Sequence, residues 1–171
     1  MTTRTVALLA LGAVAACGSA PSAPARLSAV VIRPPPLHDT VRFEAPATAA
    51  PCGRATLGLV LQGSTGGNGV LIWVRPGDSA AWGDFSLLAR ADSSAARGAV
   101  VALRFMVGDA AHGVTLDSGA VSVTRVSPER ELHARVRASG QETIVPGRVA
   151  LDARFEAVPL ARDTVTCLAR P

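Results

Sequence analysis

Short runs in which apolar residues alternate with polar or small ones fill the sequence from residue 39 onward. In the run 148–158, the odd-numbered positions from Val149 to Ala157 are apolar, whereas most even-numbered positions are charged. Residues two apart lie on the same face of a β-strand, so this alternation places one face against a core and the other in solvent. The pattern therefore predicts an all-β domain.

The runs are separated by clusters of Gly, Pro, Asn, Asp and Ser, at intervals of about 8–15 residues. No amphipathic pattern of helical period interrupts them. The predicted strands cover residues 40–45, 54–62, 70–75, 82–90, 99–107, 114–116, 120–126, 131–138, 148–158 and 164–168. Such a series is typical of an antiparallel β-sandwich or a closed β-barrel, and the chain is long enough for a single domain of either kind.

Three segments carry more specific predictions. The run 99–107 is largely apolar on both faces, which is typical of a central strand covered on both sides. The segment 63–69 ends in Asn68-Gly69, a pair that tolerates positive φ, and predicts a hairpin into the next run. The short run 27–33 is followed by three prolines that interrupt regular pairing, so we expect at most an edge strand there, ahead of the domain.

The N-terminal residues have the organisation of a secretory signal. Arg4 precedes an apolar run at 6–16, which is too short to span a bilayer core that needs about 20 apolar residues. The sequence Val14-Ala15-Ala16-Cys17 then resembles the lipobox of bacterial lipoproteins, with Val14 as a tolerated variant of the usual Leu. The resemblance covers residues 1–19 and implies that Cys17 is acylated and becomes the mature N-terminus. The residue after Cys17 is Gly18 rather than Asp, and in this respect the sequence resembles lipoproteins that are sent to the outer membrane.

The alternative is cleavage by the ordinary signal peptidase, because Ala13-Val14-Ala15 also fits the small-x-small rule. The chain has three cysteines, Cys17, Cys52 and Cys167, and acylation of the first leaves an even pair in an exported protein. A disulfide between Cys52 and Cys167 would join the two ends of the domain and restrict the unfolded chain by about 4–5 kcal/mol. A catalytic thiol pair is disfavoured by their separation in the sequence.

These features divide the chain into three parts. Residues 1–16 form the predicted signal peptide, residues 17–38 the lipidated N-terminus with a Pro/Ala/Ser linker, and residues 39–171 the β domain. The small residues and prolines of the linker predict an extended tether between membrane and domain.

The charge pattern and the missing residue types exclude several functions. All 17 cations are Arg, and they are scattered among 13 acidic residues without a basic stripe, so nucleic-acid binding is not expected. The absence of Lys excludes P-loop and Schiff-base chemistry. The sequence also has no G-x-S-x-G, H-E-x-x-H or C-x-x-C motif. We therefore expect no cofactor.

The histidines are the remaining candidates for chemistry. His112 has Asp109 and Asp117 near it in the sequence, and an imidazole with two carboxylates can hold a divalent cation or contribute to a triad. Their spacing matches no established ligand pattern, so ordinary loop polarity is the favoured interpretation and we expect no metal. His133 falls on the outward face of its strand and His38 follows the Pro run, so both are expected to be exposed.

The leading hypothesis is a lipid-anchored envelope protein, at the periplasmic side of the outer membrane or at the cell surface, with a non-enzymatic binding or structural β domain. Its partners would be the membrane, through the lipid anchor, and a protein or a small apolar ligand. One alternative is a metal-assisted hydrolase that uses His112 with Asp109 or Asp117. Another is a calycin-like barrel that carries an apolar ligand in a cavity of at least about 300 Å³ between its strands.

Overall fold

A computed structural model of the chain describes residues 24–53, 58–78, 80–89, 97–126, 130–143 and 145–167. The leader with Cys17 and the start of the predicted strand 54–62 lie outside these ranges. None of the described residues forms a helix that is long and apolar enough to cross a membrane. The strands are β1 (Arg26–Ile32), β2 (Thr40–Cys52), β3 (Gly58–Thr65), β4 (Asn68–Pro76), β5 (Gly83–Ser86), β6 (Arg97–Val107), β7 (Ala110–Val126), β8 (Glu131–Glu142) and β9 (Arg148–Pro159).

The long strands form a closed antiparallel β-barrel in a single domain, which confirms the all-β prediction and selects the barrel over the sandwich. The order of hydrogen-bonded neighbours is β6-β4-β3-β2-β1-β9-β8, and the pairing of β8 with β7 and of β7 with β6 closes the circle. The short β5 pairs with β7 beyond the point where β6 ends its own pairing with that strand.

The two ends of the barrel are built from different chain segments. We call the mouth the end at which β2, β4, β7 and β9 finish, at Cys52, Pro76, Val126 and Pro159. The opposite end is the one at which β1, β6 and β8 finish. Because the strands alternate in direction, residues far apart in the sequence meet at each end.

The inward-facing side chains form one hydrophobic core, with Phe85, Phe105 and Phe155 among the largest that are fully buried. Burying each such side chain stabilises the fold by about 1.5–3 kcal/mol. An eight-stranded barrel has an interior just wide enough for its side chains to fill. On β6, however, Ala102 and Arg104 are exposed. The prediction of a strand covered on both faces is therefore wrong, because a barrel wall has only one buried face.

β1 is part of the barrel wall and pairs with β2 on one side and β9 on the other. It is therefore not an edge strand, and the predicted domain boundary between residues 38 and 39 comes too late. The prolines after β1 form the connection to β2, across which the Arg33 amide donates a hydrogen bond of 2.9 Å to the Asp39 carbonyl. They end one strand without ending the domain.

β7 and β8 are longer than predicted. The runs 114–116 and 120–126 are one strand, and β8 continues past the predicted end at residue 138 as far as Glu142. Glycines inside these strands permit the two backbones to approach closely: a Cβ on Gly119 would overlap the Arg137 carbonyl, and one on Gly140 would overlap the Thr115 carbonyl. These glycines mark close contact between strands rather than breaks.

Two local predictions are corrected by the backbone. The β3–β4 hairpin forms, but its turn is at Gly66 and Gly67, which both have positive φ, while Asn68 already belongs to β4. On β9, Ala157 was predicted to face inward, but it has a φ of 51° and Val158 is buried instead. The pairing of β8 with β9 shifts its register between Leu132 and Ala134, and this shift changes which residues of β9 face the core.

The segment after β9 completes the mouth. β1 pairs with β2 only as far as Pro46, so the rest of that edge of β2 is open to another partner. Backbone hydrogen bonds of 2.9 Å from Ala161 to Ala49 and from Val165 to Pro51 occupy this edge. Cys52 and Cys167 form the disulfide that their positions predict, with 4.8 Å between their Cα atoms, and it fastens the segment to β2.

Candidate functional site

The structure does not bring together the residues proposed for a metal site. His112 is 8% exposed and faces the barrel interior, whereas Asp109 lies in the exposed β6–β7 turn. Asp117 is five positions from His112 on the same strand, which places it on the other face, where it pairs with Arg148. No group of three potential metal ligands occurs among the described residues.

His133 and His38 are exposed, as predicted.

His112 instead contacts a carboxylate that lies far from it in the sequence. Its Nδ1 atom is 2.5 Å from Oε1 of Glu142, which lies near the end of β8 and is 5% exposed. The imidazole also stacks on Phe105 of β6, with 5.3 Å between ring centroids and 18° between ring planes. The ring is therefore held in place by one polar and one apolar neighbour.

Arg33, just after β1, completes this buried group. Its guanidinium binds Glu142 in a bidentate manner, with Nε to Oε2 and Nη2 to Oε1 both at 3.0 Å. Its Nη1 atom donates a hydrogen bond of 2.8 Å to Asp39. We call Arg33, Asp39, His112 and Glu142 the ion-pair cluster. It joins the ends of β1 and β8 to the beginnings of β2 and β7.

The ion-pair cluster is suited to holding strands together. Both carboxylate oxygens of Glu142 already have partners in Arg33 and His112, so the carboxylate offers little capacity for a further ligand. Removing one partner from a buried ion pair costs about 3–5 kcal/mol, because the other charge stays desolvated. We therefore assign the cluster a structural role at the opposite end of the barrel.

The mouth contains a pocket of about 550 Å³. Its floor includes Leu59 and Leu132, which are 3% and 0% exposed and belong to the barrel interior, together with Leu160 from the segment after β9. Ala81 and Trp82, in the connection between β4 and β5, form part of its rim. Trp82 is 41% exposed, so much of its side chain is accessible from solvent. The pocket thus combines an apolar floor with access from solvent.

Three arginines surround this pocket and are called here the mouth arginines: Arg125 on β7, Arg130 before β8 and Arg162 after β9. No acidic residue lines the pocket in the part of the chain that the structure describes. Within the same part, no carboxylate forms an ion pair with any of the three guanidinium groups. The Arg125 guanidinium lies 5.0 Å from the centre of the Trp82 ring, a cation–π distance.

Neither cluster was identified from the sequence. Arg33 and Glu142 are 109 positions apart, and Glu142 lies beyond the predicted strand 131–138, so the sequence pattern does not indicate the inward direction of its side chain. The mouth arginines are exposed and lie in three separate segments, so in the sequence they resemble ordinary solvated charges. Only closure of the barrel brings their segments to one rim.

The fold and the pocket together define a small antiparallel β-barrel with a ligand-sized pocket at one end. Comparison of the chain with protein-family models, with curated proteins and with solved structures gives no match. The case for a function therefore rests on the geometry of the barrel and on the N-terminal sequence.

Proposed function

We propose that this chain is a lipid-anchored protein of the bacterial cell envelope, and that its barrel binds a small, partly apolar ligand in the mouth pocket without catalysing a reaction. The observation that carries the proposal is the pocket itself, with a volume of about 550 Å³ and an apolar floor. Pockets that hold small molecules have volumes of about 300–1,000 Å³ and mostly apolar linings.

In this proposal the ligand enters the barrel through its mouth. Phe105 and Phe155 occupy the interior with the other core side chains, so the position of the pocket differs from the deep cavity expected of a calycin-like carrier. Leu132 lies both in the core and in the pocket floor. A ligand in the mouth would thus extend the hydrophobic core outward rather than occupy its centre.

The disulfide supports the lipid anchor at Cys17. The sequence has three cysteines, and Cys52 and Cys167 are bonded to each other. Cys17 is the one that remains, and it follows the lipobox-like sequence Val14-Ala15-Ala16. Attachment to the outer membrane, on its periplasmic face or at the cell surface, follows from the resemblance of Gly18 to the residue found in lipoproteins sorted there.

Binding is tested with the full chain carrying Cys17→Ala, so that no acyl group of its own competes for the pocket. Titration with the neutral fluorescent probe N-phenyl-1-naphthylamine should give saturable binding of one molecule per barrel. Ala81→Trp should weaken it at least about tenfold by filling the pocket. The matched control is Ala102→Trp on the exposed outer face of β6, which should leave the affinity unchanged. Equal affinities in all three proteins would contradict the proposed pocket.

The anchor is tested by growing cells with radioactive palmitate. The wild-type protein should incorporate label, and Cys17→Ala should incorporate none. Label that persists in the variant would contradict acylation at Cys17.

A further inference from the structure

The mouth arginines come from three different segments and surround one pocket without an acidic partner in the described part of the chain. The planar guanidinium group matches the geometry of carboxylate and phosphate oxygens, and it binds both in a bidentate manner. Three such groups around one opening produce a local excess of positive charge, which attracts anions.

Other surface arginines of the barrel show that carboxylate partners are within reach on many strands. Arg26 pairs with Glu156 at 2.8 Å, and Arg135 pairs with Asp152 at 3.2 Å. Arg148 pairs with Asp117. The mouth arginines have no such ion pair among the described residues, and they differ from other exposed arginines in surrounding one pocket.

The pocket below the mouth arginines is apolar, and this limits the kind of anion that fits. A small hydrophilic anion would leave the accessible surfaces of Ala81, Trp82 and Leu160 without an apolar partner. A ligand with an alkyl chain and an anionic headgroup would cover this apolar surface and place its charge at the rim. The rim itself offers Trp82, whose ring lies against Arg125.

The position of the proposed anchor favours a membrane-derived source for such a ligand. β1 begins at Arg26, on the side of the barrel that faces the mouth. Cys17 precedes it by about nine residues, which can span at most roughly 30 Å. A barrel attached through Cys17 would therefore keep its mouth within a short distance of the lipid surface.

We infer that the mouth pocket takes a single-chain amphiphile with an anionic headgroup, a carboxylate or a phosphate, that the mouth arginines bind. This inference rests on the proposed function, because it specifies the ligand of the same pocket.

The test compares three ligands with the same alkyl chain, using calorimetric titration of the full chain carrying Cys17→Ala at low ionic strength. Decanoate and decyl phosphate should bind about tenfold more tightly than decanol, since exposed guanidinium groups each contribute modestly. The advantage of the anions should shrink as salt is added. Replacing all three mouth arginines by Gln should remove the advantage and leave decanol binding unchanged.

The control replaces Arg42, Arg104 and Arg154 by Gln, which changes the net charge equally at exposed positions away from the pocket. This control should keep the preference for anions. Equal affinity for decanoate and decanol in the parent protein would overturn the headgroup inference while leaving the proposed pocket intact. Failure of decanol, decanoate and the naphthylamine probe to bind would overturn the proposed function itself.

A second arm separates a free amphiphile from the membrane surface. The same proteins are mixed with vesicles of phosphatidylcholine alone or with added phosphatidylglycerol. Binding to the anionic vesicles that depends on the mouth arginines, without any binding of decanoate, would assign these arginines to the membrane surface and overturn the inference. Binding of decanoate with similar weak binding to both vesicles is the result that we expect.

Discussion

The two ends of the barrel contain the same residue type in opposite electrostatic situations. At the opposite end, the Arg33 guanidinium is 4% exposed and its charge is matched by Glu142 and Asp39. At the mouth, three guanidinium groups surround a pocket without an acidic partner in the described part of the chain. The paired arginine holds strands together, whereas we propose that the mouth arginines attract a ligand.

The comparison separates stability from function within one fold. A buried and fully bonded charge is costly to disturb, because its partner would be left desolvated. An exposed and unpaired charge contributes little to folding, but it remains available to an anion from solution. The predictions below alter one end at a time and ask whether the other end responds.

The largest effect is expected from Glu142→Gln in the ion-pair cluster. Gln cannot neutralise Arg33, which stays buried and keeps only the partly exposed Asp39 as a carboxylate partner, so the free energy of unfolding should fall by about 3–5 kcal/mol. The measurement is equilibrium denaturation in urea. Glu156→Gln, which removes a carboxylate from the exposed pair with Arg26, is the matched control and should cost much less. Equal losses in the two variants would mean that burial of the cluster has no energetic consequence.

A smaller effect is expected from Gly140→Ala, two positions before Glu142 on β8. The new Cβ would overlap the Thr115 carbonyl and push β8 away from β7, which should lower the free energy of unfolding by about 1–3 kcal/mol. Gly113→Ala on β7 is the control, because the nearest atom to its Cβ would be Thr143 Oγ1 at 3.9 Å. Ligand binding at the mouth should survive Gly140→Ala below its melting temperature. Loss of binding would show that the two ends are coupled.

The exposed pair between Asp117 and Arg148 should give a small, pH-dependent effect. The hydrogen bond from Arg148, helped by its charge, lowers the pKa of the Asp117 carboxyl. A lowered pKa in the folded state means that the ionised pair stabilises the fold above the ordinary Asp pKa of about 3.9, and that this stabilisation is lost as the pH falls below it. Melting temperatures of wild type and Asp117→Asn should therefore differ slightly at pH 7 and converge as the pH falls through the lowered pKa of Asp117. A difference that grows in acid would contradict the assigned sign.

The smallest effect on stability is expected from replacing the mouth arginines by Gln. Since these arginines form no ion pair with any residue that the structure describes, the triple variant should unfold within about 0.5 kcal/mol of the parent protein in urea. A loss of several kcal/mol would mean that these arginines have structural partners, and the contrast between the two ends would fail.

The sequence predicted those parts of the fold that depend on local alternation. The strand 148–158 and the β3–β4 hairpin were recognisable because each has its own period or turn residues. Glycines inside β7 and β8 were interpreted as breaks, since the carbonyl that approaches Gly140 belongs to a distant strand. The prolines after β1 were likewise interpreted as the end of a linker, although β1 pairs on both sides.

The functional features were harder to predict because neither is local. The proximity of Asp109 and Asp117 to His112 in the sequence suggested a metal site, but the alternation of a strand separates His112 from Asp117. The true partner of His112 is Glu142, 30 positions away. The mouth arginines depend on the closure of the barrel, which no single segment encodes.

The most direct test of the central claim is a crystal structure of the full chain carrying Cys17→Ala in complex with decanoate. The account predicts a carboxylate within about 3 Å of guanidinium nitrogens of at least two mouth arginines. It also predicts an alkyl chain that contacts Ala81 and Leu160. Decanoate bound with its carboxylate turned away from these arginines, or bound only outside the mouth pocket, would contradict the account.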